Sequence, residues 1–204
     1  MTRKSATYYR IIDHAGPIFA EKGFALATGK AICEEAGVNA AAINYHFGSI
    51  DELYVAVLDR VANRLMDLDN LEAAINKQTD PVMKLSVLME PIVDMLVHDS
   101  ELGWMARLAG HEIVSCSMKS PILSERLEQL GRLVTNIIQA LSSMSQDDVR
   151  LPLMAASFLG SLQWLFMADR TLIARMFPGL RFSETNRDEL HANLLKFALG
   201  GIKG

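Results

Sequence analysis

The chain has 204 residues, half of them hydrophobic, and a formal net charge of −4. That length allows one large domain or two modest ones around a real core, and the composition excludes a disordered chain. The slightly acidic balance excludes a surface that binds nucleic acid all over, so any such contact has to be local.

Cys33 and Cys116 are the only cysteines, which points to a reducing compartment and no disulfide framework. Cys33 falls on the inner side of a short helix and reads as a small core residue. The N-terminal stretch carries charge but no apolar signal core. The most apolar run, Leu151 to Leu165, is interrupted by Gln163 and ends before Asp169-Arg170, too soon for a membrane span. These features predict a cytoplasmic protein with no membrane partner.

Strand signals are nearly absent and helical periodicity is nearly everywhere. A first helix is predicted from about Ser5 to Lys22, with Ile11, Ile12, Ala15, Ile18 and Phe19 on one face and a bend at Pro17. Gly23 stops it. Two short helices follow within Thr28–Phe47, joined by Ala36-Gly37-Val38-Asn39. Thr28 can cap the first and Asn39 the second, and Gly37 suits a turn with positive φ. Helix, glycine turn, helix is the helix-turn-helix plan. A fourth helix starts at Ser49, a capping residue, and is expected to reach Leu68. The polar region Asp69–Asp80 is read as a domain boundary.

Beyond it, Asp80-Pro81 opens a helix to about His98, kinked at Pro91. Another spans Ser100 to about Cys116. Pro121 opens the next, followed by a loop at Ser142–Gln146. One long apolar helix is predicted from Asp147 to Met176, and a last one from Glu184 to Leu199, stopping at Gly200-Gly201. The fold class is all-α: an N-terminal helix-turn-helix domain of three helices (1–50, with a connecting helix at about 49–68) and a C-terminal helical bundle (69–204), for which the resemblance given below implies ligand binding and dimerisation.

The second motif helix presents Asn39, Ala40, Ala41 and Asn44. In a helix-turn-helix the second helix enters the major groove with its N-terminal residues on base edges. Small residues permit close approach, Ala can meet a thymine methyl, and Asn can pair with adenine. Tyr45 and His46 are placed for phosphate contacts. Cations within residues 1–50 are Arg3, Lys4, Arg10, Lys22 and Lys30, against Asp13, Glu21, Glu34 and Glu35, a net of +1. The salt dependence of binding is therefore expected to be modest.

Ala20-Glu21-Lys22-Gly23-Phe24, Thr28, Ile32, Ala36-Gly37-Val38, Tyr45-His46-Phe47 and Ser49-x-x-Glu52-Leu53 together resemble the DNA-binding domain of the tetracycline-repressor (TetR) family of bacterial regulators. The run from Asn39 to Ser49 is similar to a subgroup with Asn-x-Ala-Ala-Ile before the Tyr-x-Phe. The resemblance covers roughly residues 8 to 60. It implies that Thr28 contacts a phosphate, that Asn39, Ala41 and Asn44 face bases, and that Tyr45 and His46 contact the backbone. Lys30, beside Thr28, is the best-placed cation, and Phe47 is packing. One departure stands out: the family often has a phosphate-contacting Lys where this chain has Ile50. The expected partners are a double-stranded DNA operator, a small-molecule effector and a second copy of the chain.

The C-terminal half carries the sensor expectations. Met83, Met89, Met95, Met105 and Met118 read either as core or as an adaptable lining. With kinking Pro91 they suggest an apolar cavity for an apolar or aromatic effector, lined by Met89, Trp104, Arg107, Leu108, His111, Phe158 and Trp164. The last helices, with small residues such as Gly160, suit a two-fold four-helix interface through Ala155, Phe158, Leu162, Leu194 and Phe197. No cofactor is expected. His98, Asp99, Glu101, His111 and Glu112 lie close in sequence but lack metal-ligand spacing. The alternative class is an all-helical enzyme or small-molecule-binding protein whose helix-turn-helix is structural. No nucleophile elbow, phosphate loop or zinc motif supports catalysis.

Overall fold

The structure is a computed structural model and describes residues 5–65, 67–98, 101–115 and 118–203. Among these residues there is no strand. The helices are α1 (Ala6–Lys22), α2 (Gly29–Glu35), α3 (Ala42–Phe47), α4 (Ile50–Leu65), α5 (Leu68–Asn76), α6 (Pro81–Val97), α7 (Glu101–Ser115), α8 (Pro121–Ser142), α9 (Arg150–Met167), α10 (Arg170–Met176) and α11 (Arg187–Lys203). Two compact units result. The first combines Met1–Met66 with Trp104–Ser124, the second Asp67–Gly103 with Glu125–Gly204. Trp104–Ser124, read from sequence as part of the C-terminal domain, is grouped with the first unit.

In the first unit, Ile11, Ile12, Ala15 and Phe19 of α1 and Leu53, Val57, Leu58 and Val61 of α4 are buried. Each large aliphatic side chain so removed from water contributes about 1.5–3 kcal/mol. Met105, Leu108 and Leu123 are fully buried as well. Gly16 lies in mid-α1 because the Trp104 ring occupies the space of its absent side chain. A Cβ there would come within 2.2 Å of Trp104 Cη2.

In the second unit, one core joins Ile75, Leu85, Leu88 and Met89 with residues of α8, α9 and α11. Val93, Leu96, Val97 and Leu190 form a smaller cluster. Arg187 of α11 clamps α6, its Nε donating to Asp94 Oδ1 at 2.6 Å and its Nη2 to Glu90.

Four expectations are corrected. The fourth helix, α4, stops before Asp67 rather than reaching Leu68, and the stretch read as a polar boundary holds most of α5. Asp67 caps α5, and Leu68, Leu71 and Ile75 give it a helical stripe that its polar composition hides. The single helix expected from Asp147 to Met176 breaks at Ala168. Asp169 Oδ1 accepts from Leu172 N–H at 2.8 Å and starts α10, bent 108° from α9. The last helix runs through Gly200-Gly201 to Lys203, because Ala198 and Ile202 remain buried in the core. That burial offsets the roughly 1 kcal/mol each helical glycine costs. Pro17 and Pro91 lie within α1 and α6.

Among the described residues no single helix is long and apolar enough to cross a membrane.

Candidate nucleic-acid interface

The chain's own local chemistry builds the interface. Gly23, at φ 74°, ends α1 and donates its N–H to Phe19 O at 2.9 Å. Thr28 Oγ1 accepts from Ala31 N–H at 3.3 Å and caps α2. At the other end of α2 the chain closes a Schellman turn: Val38 N–H donates to Cys33 O at 2.9 Å and Gly37 N–H to Glu34 O at 3.1 Å. This geometry places Gly37 at φ 61°, where a side chain would be strained. Cys33 is buried, as its position predicts, and its thiol points at Ala40 O at 3.8 Å.

Asn39 departs from its expected role. Its Oδ1 accepts from Ala41 N–H at 2.8 Å, a local Asx turn, and α3 begins only at Ala42, with Ala41 at the cap position. Asn39 therefore shapes the entry turn and does not cap the helix. Ile43 is buried and anchors α3, while Ala41, Asn44 and Tyr45 are exposed on the opposite face. Tyr45 is 84% exposed, so it has no core role within the chain. Phe47 stacks on Tyr8 at 4.5 Å between ring centroids, a packing contact. Gly48, at φ 87°, ends α3, and Ser49 Oγ accepts from Glu52 N–H at 3.1 Å to start α4.

Thr28, Lys30, Asn39, Ala41, Asn44 and Tyr45 are all exposed, and His46 is half-buried beside the Tyr45 ring. The Lys30 ammonium sits 3.8 Å from Glu34 in an exposed pair. Such a pair is weak enough to yield to a phosphate. Arg3 and Lys4, expected to add phosphate contacts, lie outside the described residues, as do Cys116 and Asp99.

A second feature of this unit was not legible in the sequence. Glu112 of α7, with Lys119 and Ser120 just before α8, is tied to α4. Tyr54 Oη donates to Glu112 Oε1 at 2.7 Å, both side chains being buried. Lys119 N–H donates to Glu112 Oε2 at 3.0 Å, and Lys119 Nζ meets Asp51 Oδ1 at 2.9 Å. Ser120 Oγ donates to Asp59 Oδ1 at 2.6 Å while accepting from Leu123 N–H at 3.0 Å, so one hydroxyl ties α4 and caps α8. Burial, and then the bond to Glu112, push the Tyr54 phenol above its usual range. Sequence offered one signal: Tyr54 adjoins Leu53 on the inner side of α4, and a buried phenol needs a partner.

The residues expected to hold an effector fall into both units. Trp104, Arg107, Leu108 and His111 belong to the first; Trp104 lies against Gly16 and Leu108 is fully buried. Met89 and Phe158 belong to one core cluster of the second, whereas Trp164 is 43% exposed beside Phe177, 6.2 Å between ring centroids. The expected dimer face also needs correction. Ala155, Phe158 and Leu162 are buried in their own core, because they share the inward side of α9. Leu194 is partly buried against the same core, and Phe197 stands 71% exposed. The outer side of α9 presents Leu153, Ala156, Gly160 and Trp164 instead. Among the described residues no group of three or more His, Cys, Asp or Glu could hold a metal ion.

Three helices ending in a capped helix-turn-helix, followed by an all-helical bundle, define a helix-turn-helix protein of two units. Residues 11–57 match the model of the bacterial regulatory proteins of the tetR family. Over that stretch the chain is similar to the DNA-binding part of the TetR family.

Over 92 residues it is 32% identical to the HTH-type transcriptional activator FasR of Mycolicibacterium smegmatis, a match covering 45% of this chain and 41% of FasR. Over 137 residues it is 26% identical to the HTH-type transcriptional regulator UidR of Escherichia coli, covering 67% of this chain and 65% of UidR. The chain therefore matches less than two thirds of either relative. The solved structure of AibR in complex with isovaleryl coenzyme A and operator DNA shares the fold, with a TM-score of 0.69, 15% identity, and coverage of 94% of this chain and 97% of AibR.

Proposed function

We propose that this protein is a ligand-responsive transcriptional regulator, a repressor that binds a palindromic DNA operator as a homodimer and is released by a small apolar or aromatic effector. The observation that carries the reading is the exposed Ala41–Asn44–Tyr45 face of a helix anchored by buried Ile43. Asn44 reads adenine N6 and N7, Ala41 accommodates a thymine methyl, and Thr28, Lys30, Tyr45 and His46 hold phosphates. Asn39 sets the approach of the backbone. Because few cations are available, specificity comes from uncharged side chains.

One recognition helix reads few base pairs, so a dimer is needed. The outer faces of α9 and α11, with Leu153, Gly160, Trp164 and Phe197, supply an apolar, small-residue surface suited to a second copy. Effector binding in the C-terminal bundle favours a conformer in which α4 shifts and the two recognition helices change their spacing. The effector must prefer that conformer by a few kcal/mol. AibR's complex with an acyl coenzyme A supports an acyl-bearing effector as the first class to test. The reading includes no catalysis, no cofactor and a cytoplasmic location.

The test is selection of duplexes from a random-sequence pool by the purified protein, followed by binding measurements on the enriched duplex. Enrichment of an inverted repeat is expected. A pool that stays random contradicts the reading.

A further inference from the structure

We propose that Glu112 and Lys119 form a charge clamp for DNA binding: Glu112, near the end of α7, fixes the backbone of Lys119, just before α8, and the Lys119 ammonium neutralises Asp51 at the head of α4. Lys119 and Glu112 are thus positioning residues, acting through α4. The proposal rests on the DNA-binding reading above and names a control on that same site.

Geometry carries it. Asp51, Tyr54 and Asp59 lie along α4, and each is engaged by the short stretch from Glu112 to Ser120. Glu112 is 2% exposed, and its two oxygens are used for two different purposes: one accepts from Tyr54 of α4, the other from the Lys119 backbone. Lys119 follows Met118, an L-residue held at φ 35°. Such a conformation persists only where its surroundings over-determine it. The anchors that follow it, at Lys119 and Ser120, do so. The Lys119 ammonium also lies 3.6 Å above the Phe24 ring, against the cluster of Phe24, Tyr54 and Phe19. A cation with a ring on one side and a carboxylate on the other is held, not freely solvated.

The charge matters because of where Asp51 stands. It is four residues past Phe47, the last residue of α3, and beside Ile50, which brings no cation of its own. Residues 1–50 carry a net of only +1. An uncompensated carboxylate at the head of α4 would oppose phosphates gripped at the end of α3, since charges act on one another over about a Debye length, roughly 8 Å. Lys119 cancels it from a distant part of the chain.

The test uses the full chain, the duplex enriched by the wild-type protein, and Lys119→Met, which keeps the stem over Phe24 and removes the charge. K119M is expected to bind about tenfold more weakly. Adding Asp51→Asn is expected to restore binding to within about threefold, whereas D51N alone changes little. A merely structural role for Lys119 would leave the double variant as weak as K119M. In the absence of DNA, amide exchange at Glu52 and Leu53 is expected to be faster in K119M than in wild type. Wild-type binding by K119M, no rescue by D51N, or unchanged exchange each overturns the clamp. Failure of the wild-type protein to enrich any duplex overturns the DNA-binding reading instead, and the exchange result still judges the clamp.

Discussion

The Tyr54 hydroxyl donates to Glu112 Oε1 at 2.7 Å in a site where the two side chains are 3% and 2% exposed. A buried carboxylate with two donors aimed at it is costly to lose, because each donor is then buried without a partner. Glu112→Ala is expected to destabilise the protein by about 2–4 kcal/mol in urea unfolding. Tyr54→Phe, which leaves the Lys119 N–H still donating, is expected to cost about half as much. Equal stability of E112A and wild type would show that the bond contributes nothing.

The same bond gives a pH dependence. Burial and Glu112 raise the Tyr54 phenol above its unfolded value near pH 10. The folded state therefore holds this proton more tightly than the unfolded state. Its contribution is fully present below about pH 10 and is lost as the pH rises through the higher folded value. Ultraviolet titration is expected to show a late phenolate component that Y54F removes. Complete ionisation of all tyrosines in one early step would contradict this.

Gly16 and Trp104 give a packing test. A Cβ at Gly16 would lie 2.2 Å from the Trp104 ring. Gly16→Ala is expected to lower stability by about 1–3 kcal/mol despite alanine's better helix propensity. In a Trp104→Ala background the same change is expected to be neutral or stabilising. A penalty that persists there would mean that the ring is not the cause.

These two contacts also mark the limit of what sequence shows. Thr28, Gly37 and Ser49 were legible because capping and turn chemistry act within a few residues. Asn39 was half legible: its side chain bonds locally, but from two residues before the cap position. The inward side of α9 was misread because Ala155, Phe158 and Leu162 are apolar whether they face a partner or their own core. Position α5 was hidden by polar residues between its apolar ones. Glu112 reaching Tyr54 spans 58 residues, and nothing in the neighbourhood of either residue specifies the other.

The dimer surface is open to a single substitution. Phe197 is 71% and Leu153 is 68% exposed in the isolated chain. Phe197→Asp is expected to shift the protein from dimer to monomer by light scattering, with helicity unchanged, and to weaken binding to a two-half-site duplex by at least about a hundredfold. A dimer that survives F197D would move the interface away from α11.

Asn44→Ala is expected to flatten preference at its adenine by about 1–3 kcal/mol per half-site, leaving stability unaltered because the side chain is exposed. Tyr45→Phe is expected to weaken all sequences alike, as loss of a phosphate contact does. Sequence preference that survives N44A would mean that other residues occupy the groove.

The most direct measurement is the affinity of the wild-type protein and N44A for the duplex enriched by selection and for a scrambled duplex, across a salt series. The account predicts an inverted repeat whose half-sites lie about one DNA turn apart, tight binding that N44A loses on the enriched duplex alone, and a slope of log K against log salt shallower than about −8. Equal affinity of wild type for enriched and scrambled duplexes, or a steeper slope, would contradict recognition by an uncharged Asn and Ala face.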